Sequence, residues 1–243
     1  MHHVVLERWS RGASALHRRD PRAKLAALLV FLVVLATAHR NLPAVGAALL
    51  LLLGGALVWA RIPLGGALAR AAVVLPFTLL FAGVCWLAGE PARGFALALK
   101  SYLSALAVLT VVSTTPLPLL LRGLETAGAP RYLLMVAQFL YRYLFVISEE
   151  AQHMRKAAAS RGATLAGSTS GSARFQAAAG ALAVLFARSY GRAEDIHRAM
   201  LARGFRGRLG TLSSLRFGRA DAAFLALSAL APVVLRAAVE RIG

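Results

Sequence analysis

Long apolar runs alternate with short polar joints through the first half of the chain, and one more run lies near its end. Residues 23–39, 42–60, 71–88, 101–121 and 222–239 are apolar over nearly their whole length. A helix that crosses a bilayer takes about 20 mostly apolar residues, so the pattern predicts five crossings. The first run is short, and Lys24 near its start is expected to snorkel, as is Lys100 at the mouth of the fourth. Asp20 is placed to cap the first helix, with Pro21 at its first position. Only His39, Arg40 and Asn41 part the first run from the second, which predicts a tight hairpin. Pro76, Pro116, Pro118 and Pro232 fall within the runs. Such kinks are tolerated where neighbouring groups satisfy the freed backbone. Ser113, Thr114 and Thr115 stand beside the 116/118 pair, either to do that or to line a functional break.

Basic residues orient the runs. Arg8, Arg11, Arg18, Arg19, Arg22 and Lys24 gather around the start of the first, and Arg61 and Arg70 fall between the second and third. The joints on the opposite side are poor, with Arg40 in one and Arg93 balanced by Glu90 in the other. Positive joints stay in the cytoplasm. The N-terminus is therefore expected inside, the chain returns inside at Arg122, and the fifth crossing leaves the C-terminus outside. No cleavable leader is expected, because no small-residue cleavage site follows the first run.

Between the fourth and fifth runs the pattern changes from continuous to periodic. Phe139, Tyr143, Ile147, Met154 and Ala158 fall near one stripe, with Arg142, Glu149, Glu150, His153 and Lys156 mostly off it. That is an amphipathic helix of about 25 residues. A shorter one follows, starting at Ser189 or Gly191, with Ala193, Ile196 and Met200 on one face and Glu194 four residues before Arg198. Residues 175–187 are apolar but too short to span, and are expected to lie against the bundle or between the other two helices. Residues 131–220 hold fourteen Arg and Lys against four acids, which suits the cytoplasm. Both amphipathic helices end in Arg-Gly, at Arg161-Gly162 and Arg203-Gly204. A glycine just past a helix end caps it in the left-handed conformation, and an arginine there favours the helix dipole. Two such ends on one small protein also suit docking. Each guanidinium would enter one of two equivalent acidic grooves on a dimeric soluble partner.

Composition narrows the class. The 243 residues are 58% hydrophobic and only 16% charged, against about 25% charged in a soluble domain. The net charge of +18 then reads as contact with anionic lipid headgroups and not with nucleic acid. Cys85, the single cysteine, sits in an apolar run and reads as a buried hydrophobe. His2 and His3 with Glu7 form either a metal-binding start or an incidental pair; no metal site and no cofactor is expected. Glu149 and Glu150 are adjacent and so point in different directions on a helix, which suits pairing with Arg142 or His153 better than catalysis. There is no phosphate-binding GxxxxGK[ST] loop, no His-Glu-x-x-His and no Gly-x-Ser-x-Gly. No ionisable residue is expected deep in a crossing, so the chain does not read as the substrate channel.

Three segments carry a more specific likeness. SALHRRDPRAKL at residues 14–25, YRYLFVISEEAQHMRKAAASRG at 141–162 and RAEDIHRAMLARGFRG at 192–207 resemble the transmembrane T component of energy-coupling factor transporters, the CbiQ/EcfT family. The resemblance spans essentially the whole chain. It implies an all-α integral membrane protein of about five transmembrane helices, with amphipathic coupling helices before the last crossing. The divisions are then 1–22 cytoplasmic, 23–121 four transmembrane helices, 122–220 cytoplasmic coupling helices and 221–243 the last crossing. It implies docking on two ABC-type ATPase subunits, or a heterodimer of them, through Ser160-Arg161-Gly162 and Ala202-Arg203-Gly204. The first of these departs from the family's Ala-Arg-Gly only by a serine. A substrate-binding membrane (S) subunit is the further partner, in a bacterial or archaeal inner membrane, and the chain itself is not an enzyme. The start of the chain and YRYLF look most like the cobalt-type branch, so cobalt or nickel is the expected substrate, with vitamins such as biotin open. Two other classes remain: a membrane enzyme acting on an anionic lipid within 122–220, and an anchor that recruits a soluble complex without turnover.

Overall fold

The computed structural model describes residues 9–10, 12, 14–39, 41–162, 171–207 and 217–242. Every regular element among them is helical: α1 Pro21–Thr37, α2 Leu42–Trp59, α3 Leu64–Ala71, α4 Leu75–Leu87, α5 Pro91–Thr114, α6 Leu117–Thr126, α7 Arg131–Ser160, α8 Gly171–Ala202 and α9 Arg219–Ile242. A 3-10 turn, Ala72–Val74, joins α3 to α4. Helices α1–α6 with α9 form one unit, and α7 with α8 a second.

In the first unit the surface is the reverse of a soluble protein's. The core is a narrow seam in which Leu35, Leu49, Leu57, Leu103 and Leu106 are fully enclosed. Leu51 is 76% exposed, Leu87 90%, and Phe77, Phe81 and Trp86 also face outward. Contiguous apolar surface on this scale is stable only against lipid. Among the described residues, four helical stretches are long and apolar enough to cross a membrane: Leu42–Trp59, Leu64–Leu87, Pro91–Thr114 and Arg219–Arg241. The protein is thus an all-α, multi-pass membrane protein. Helix α1 is as apolar but has 17 residues, about 26 Å at the helical rise against a hydrocarbon core of about 30 Å.

The helix order follows from local chemistry. Asp20 caps α1 as expected, accepting from the Arg22 N–H at 2.8 Å, with Pro21 at the first position. The α1–α2 hairpin turns at Asn41, in the left-handed region with φ 45°. Helices α4 and α5 pack so closely that a Cβ on Gly94 would lie 2.8 Å from the Ala82 carbonyl oxygen. Both ends of α1 are tied to its neighbours. At its start Lys24 meets the end of α5, and the Asp20 N–H donates to Asp221 at the start of α9. At its end, Lys100 from the first half of α5 donates to the Ala36 carbonyl at 2.9 Å. Arg236 from the end of α9 donates to the Thr37 carbonyl at 2.9 Å and to the Thr37 hydroxyl at 2.6 Å. So α1 runs antiparallel to α5 and parallel to α9. The starts of α1 and α9 share one end of the bundle with the ends of α2 and α5.

Several expected boundaries are corrected. The third apolar stretch begins at Leu64, which places Arg70 inside a helix and not in a joint. Its guanidinium lies over the Trp9 ring at 4.1 Å, so the charge has a partner there. The fourth begins at Pro91 and stops at Thr114. Thr115 is extended (φ −143°, ψ 120°), the conformation that a following proline imposes. Residues 117–121 consequently belong to a separate helix, α6, which runs on to Thr126. The last helix is longer than expected and starts at Arg219.

Lys24 turns inward and does not snorkel. Lys24 is 3% exposed. Its ammonium donates to the Thr114 carbonyl at 2.9 Å and the Thr115 hydroxyl at 2.8 Å. An ionisable group is therefore enclosed at the start of α1, because the Pro116 break leaves carbonyl oxygens that need a donor. Thr110 and Thr114 also close on the backbone, donating to Leu106 at 2.7 Å and Thr110 at 2.9 Å.

Candidate functional site

The second unit is a pair of long helices. The stripe expected on α7 lies against the face expected on α8. Phe139, Tyr143 and Ile147 line one side of an apolar groove of about 410 Å³, with Ala193, Ile196 and Met200 on the other. Arg188 pins the two helices, reaching Glu150 at 2.6 Å. Of the pairings expected for the two adjacent glutamates, the one with His153 is made, by Glu149, and Glu150 takes Arg188 in place of Arg142. His153 lies 3.9 Å from Glu149, and Arg142 lies over the Tyr143 ring at 5.9 Å. Glu194 and Arg198 pair at 3.3 Å, as their spacing predicts.

Helix α8 is one element of 32 residues, so the separate helices expected for 175–187 and from Ser189 or Gly191 are a single one. Residues 175–187 are not buried between other helices. Phe175 is 75% exposed and Phe186 72%.

Both Arg-Gly ends are glycine caps in fact. Gly162 has φ 79°, and Gly204 φ 75°. At the first, the Arg161 N–H donates to the Ala158 carbonyl at 3.1 Å, and the Gly162 N–H to Ala159 at 3.0 Å. Ser160 turns its hydroxyl back on the Ala157 carbonyl at 2.9 Å, so the departure from alanine is absorbed locally. At the second, the Phe205 N–H donates to Met200 at 3.0 Å and the Gly204 N–H to Leu201 at 2.9 Å. This is the double closure of a Schellman end.

The caps consume backbone groups and leave the side chains out. Ser160, Arg161, Gly162, Ala202, Arg203 and Gly204 are all exposed. Among the described residues, neither tip guanidinium takes part in an ion pair or side-chain hydrogen bond, whereas Arg188 and Arg198 on α8 do. An arginine at the negative end of a helix, rigidly capped and unpaired, presents five donors to an incoming carboxylate.

Histidines supply no alternative site there. The His17 Nε2–H donates to the Trp9 carbonyl at 2.8 Å, and its Nδ1 accepts from Ser14 at 2.7 Å, which uses both ring nitrogens structurally. Among the described residues no group of three or more His, Cys, Asp or Glu stands together. His2, His3 and Glu7 lie outside the described residues. The Lys24 knot and the Arg236 tie are the polar features that sequence reasoning missed. The signal for the first was a lysine opposite a Thr-Thr-Pro break at the same end of the bundle.

Comparison with known proteins matches residues 12–212 to the CbiQ family, described as cobalt transport protein. The chain is 29% identical to an energy-coupling factor transporter transmembrane protein EcfT of Bacillus selenitireducens, over 92% of each chain. It is 30% identical to the EcfT of Acidaminococcus fermentans, over 90% of each. The cobalt transport protein CbiQ of Rhodobacter capsulatus is 28% identical over 51% of this chain and 49% of its own.

Proposed function

This chain belongs to the CbiQ/EcfT family of energy-coupling factor transmembrane (T) components, and on that premise we propose that its two arginine tips are the ATPase-docking elements. It is a multi-pass inner-membrane subunit of an ECF-type transporter and not itself an enzyme. Arg161 and Arg203 each enter an acidic groove on one of two ABC-type ATPase subunits, with Ser160, Gly162, Ala202 and Gly204 letting the helix end approach closely. ATP-driven closure of the ATPase pair moves both tips together. The helix pair α7–α8, pinned by Arg188 and Glu150, carries that motion as one body to a substrate-binding membrane subunit. The observation that carries this reading is the pair of capped, exposed and unpaired guanidiniums.

We propose five crossings, with α1 as the first. Lys24, Lys100 and Arg236 close the polar backbone at its ends, so a helix one turn short sits within a locally thinned bilayer. The N-terminus and residues 122–220 then face the cytoplasm, and residues 221–243 carry the last crossing outward. The proposed substrate is cobalt, or nickel. Its support is the description of the family and the name of the Rhodobacter relative; the names of the two EcfT relatives state no substrate. A vitamin is the second reading for that reason. The test is uptake of labelled cobalt by cells expressing the chain with its ATPase and S partners. Cobalt uptake that depends on this chain is expected, and vitamin uptake without cobalt uptake would replace the assignment.

A further inference from the structure

An apolar cleft of about 530 Å³ opens among α1, α2, α5 and α9, a size within the usual range for a bound small molecule. Small residues make the room, with Gly55 and Ala56 on α2, and Ala220, Ala223 and Ala231 on α9. The cleft is polarised along its length. Arg19, Lys24 and Thr114 line it at the end where α1 and α9 start; Phe31, Ala107 and Ala231 line it deeper in. From Ala220 to Ala231 is about 16 Å along the helix, close to the half-thickness of the hydrocarbon core, about 15 Å. Trp59, at the end of α2, lines the charged end of the cleft, and tryptophan is enriched at membrane interfaces.

The charge at the mouth is not fully spent. Lys24 uses two of its three N–H donors on Thr114 and Thr115. Arg19 lies 3.9 Å from Asp221, while its Nε is buried with no hydrogen-bond partner among the described residues. Asp221 in turn accepts from the Asp20 and Gly218 N–H groups, and Asp20 from Arg22. Arg18, Arg19, Arg22, Lys24 and Arg219 thus outnumber Asp20 and Asp221 at this end.

We propose that the cleft is a phospholipid site, in which one acyl chain of an anionic phospholipid fills the apolar depth and its phosphate sits at Arg19 and Lys24. The depth of one leaflet, the cationic mouth and the interfacial tryptophan all select that occupant. Assigning it to the cytoplasmic leaflet rests on the orientation proposed above; the binding itself does not rest on the tips or on the ATPases. A bound chain would fill the space that the small residues leave and stiffen the four helices as one block.

Native mass spectrometry of the full chain in detergent tests this, with phosphatidylglycerol and phosphatidylcholine titrated in turn. One phosphatidylglycerol is expected to be retained with about tenfold preference over phosphatidylcholine. Arg19→Gln should remove the preference, and Arg19→Lys should keep most of it. Ala223→Phe, which plugs the cleft, should abolish retention of both lipids. Ala222→Phe, off the cleft lining, should leave it unchanged and controls for folding. Equal retention of the two lipids by the unaltered chain would overturn the proposal. So would full lipid retention by a folded Ala223→Phe variant, even one that lost a protein partner, since that would make the cleft a seat for a helix.

Discussion

The Lys24 ammonium sits 2.9 Å from the Thr114 carbonyl, so a charge in the first turn of α1 closes the last turn of α5. The chain needs that closure because Pro116 ends α5 inside the bundle, where Thr114 is buried and its carbonyl has no partner further along the helix. The same principle operates at the opposite end, where Lys100 and Arg236 serve the last carbonyls of α1.

Lys24→Met is expected to destabilise the bundle by about 1–3 kcal/mol, the cost of stranding buried acceptors. Thr115→Val should cost less, because the Thr114 carbonyl keeps its donor. Thermal unfolding of the two variants in detergent gives the comparison, and equal losses would contradict the role assigned to the carbonyl.

Arg236→Leu removes the donor to the Thr37 carbonyl and hydroxyl and the partner of Glu240. Amide exchange in the last turn of α1 should accelerate, with a stability loss of about 1–2 kcal/mol. Exchange at the start of α1, held by Asp20, should not change. Uniform acceleration along α1 would mean that its two ends are not independently tied.

Gly204→Ala meets no steric obstacle, since a Cβ there has nothing within 4 Å. Its cost is conformational, about 1–2 kcal/mol for an L-residue in the left-handed region, and Gly204→Asn should cost less. Faster exchange of the Gly204 and Phe205 amides is the expected sign. An alanine variant that exchanges like the parent would remove the cap as the feature that aims Arg203.

What was legible in the sequence was local. The Asp20-Pro21 cap, the α1–α2 hairpin, the two Arg-Gly ends and the facing stripes at Tyr143 and Ile196 each depend on residues within a few positions. The pairing of Lys24 with Thr114 joins residues 90 apart, and that of Glu150 with Arg188 residues 38 apart; no periodicity reveals either. The start expected at Ser189 or Gly191 failed for a physical reason. A glycine inside a helix costs only about 1 kcal/mol. Ser189 turns its hydroxyl onto the Leu185 carbonyl at 2.7 Å, so the helix runs through both. Arg70 was misplaced because the Trp9 ring that receives it lies far back in the chain.

Topology is open to direct test. With Cys85→Ser as background, His3→Cys and Gly167→Cys should resist an impermeant thiol reagent in intact cells, and Gly243→Cys should react. These positions lie outside the described residues, so the prediction rests on charge distribution alone. Labelling at 167 from outside would reverse the assigned sides.

The central claim is that Arg161 and Arg203 hold the ATPase subunits. The direct measurement is recovery of those subunits with the tagged full chain, from detergent-solubilised membranes, for the parent and for Arg161→Glu combined with Arg203→Glu. Loss of one charge-assisted contact at an interface costs at least about 2 kcal/mol, or roughly 30-fold in affinity. The double reversal is therefore predicted to abolish ATPase recovery while the chain stays in the membrane. Unchanged recovery with both charges reversed would contradict the account and leave the two arginines as helix caps alone.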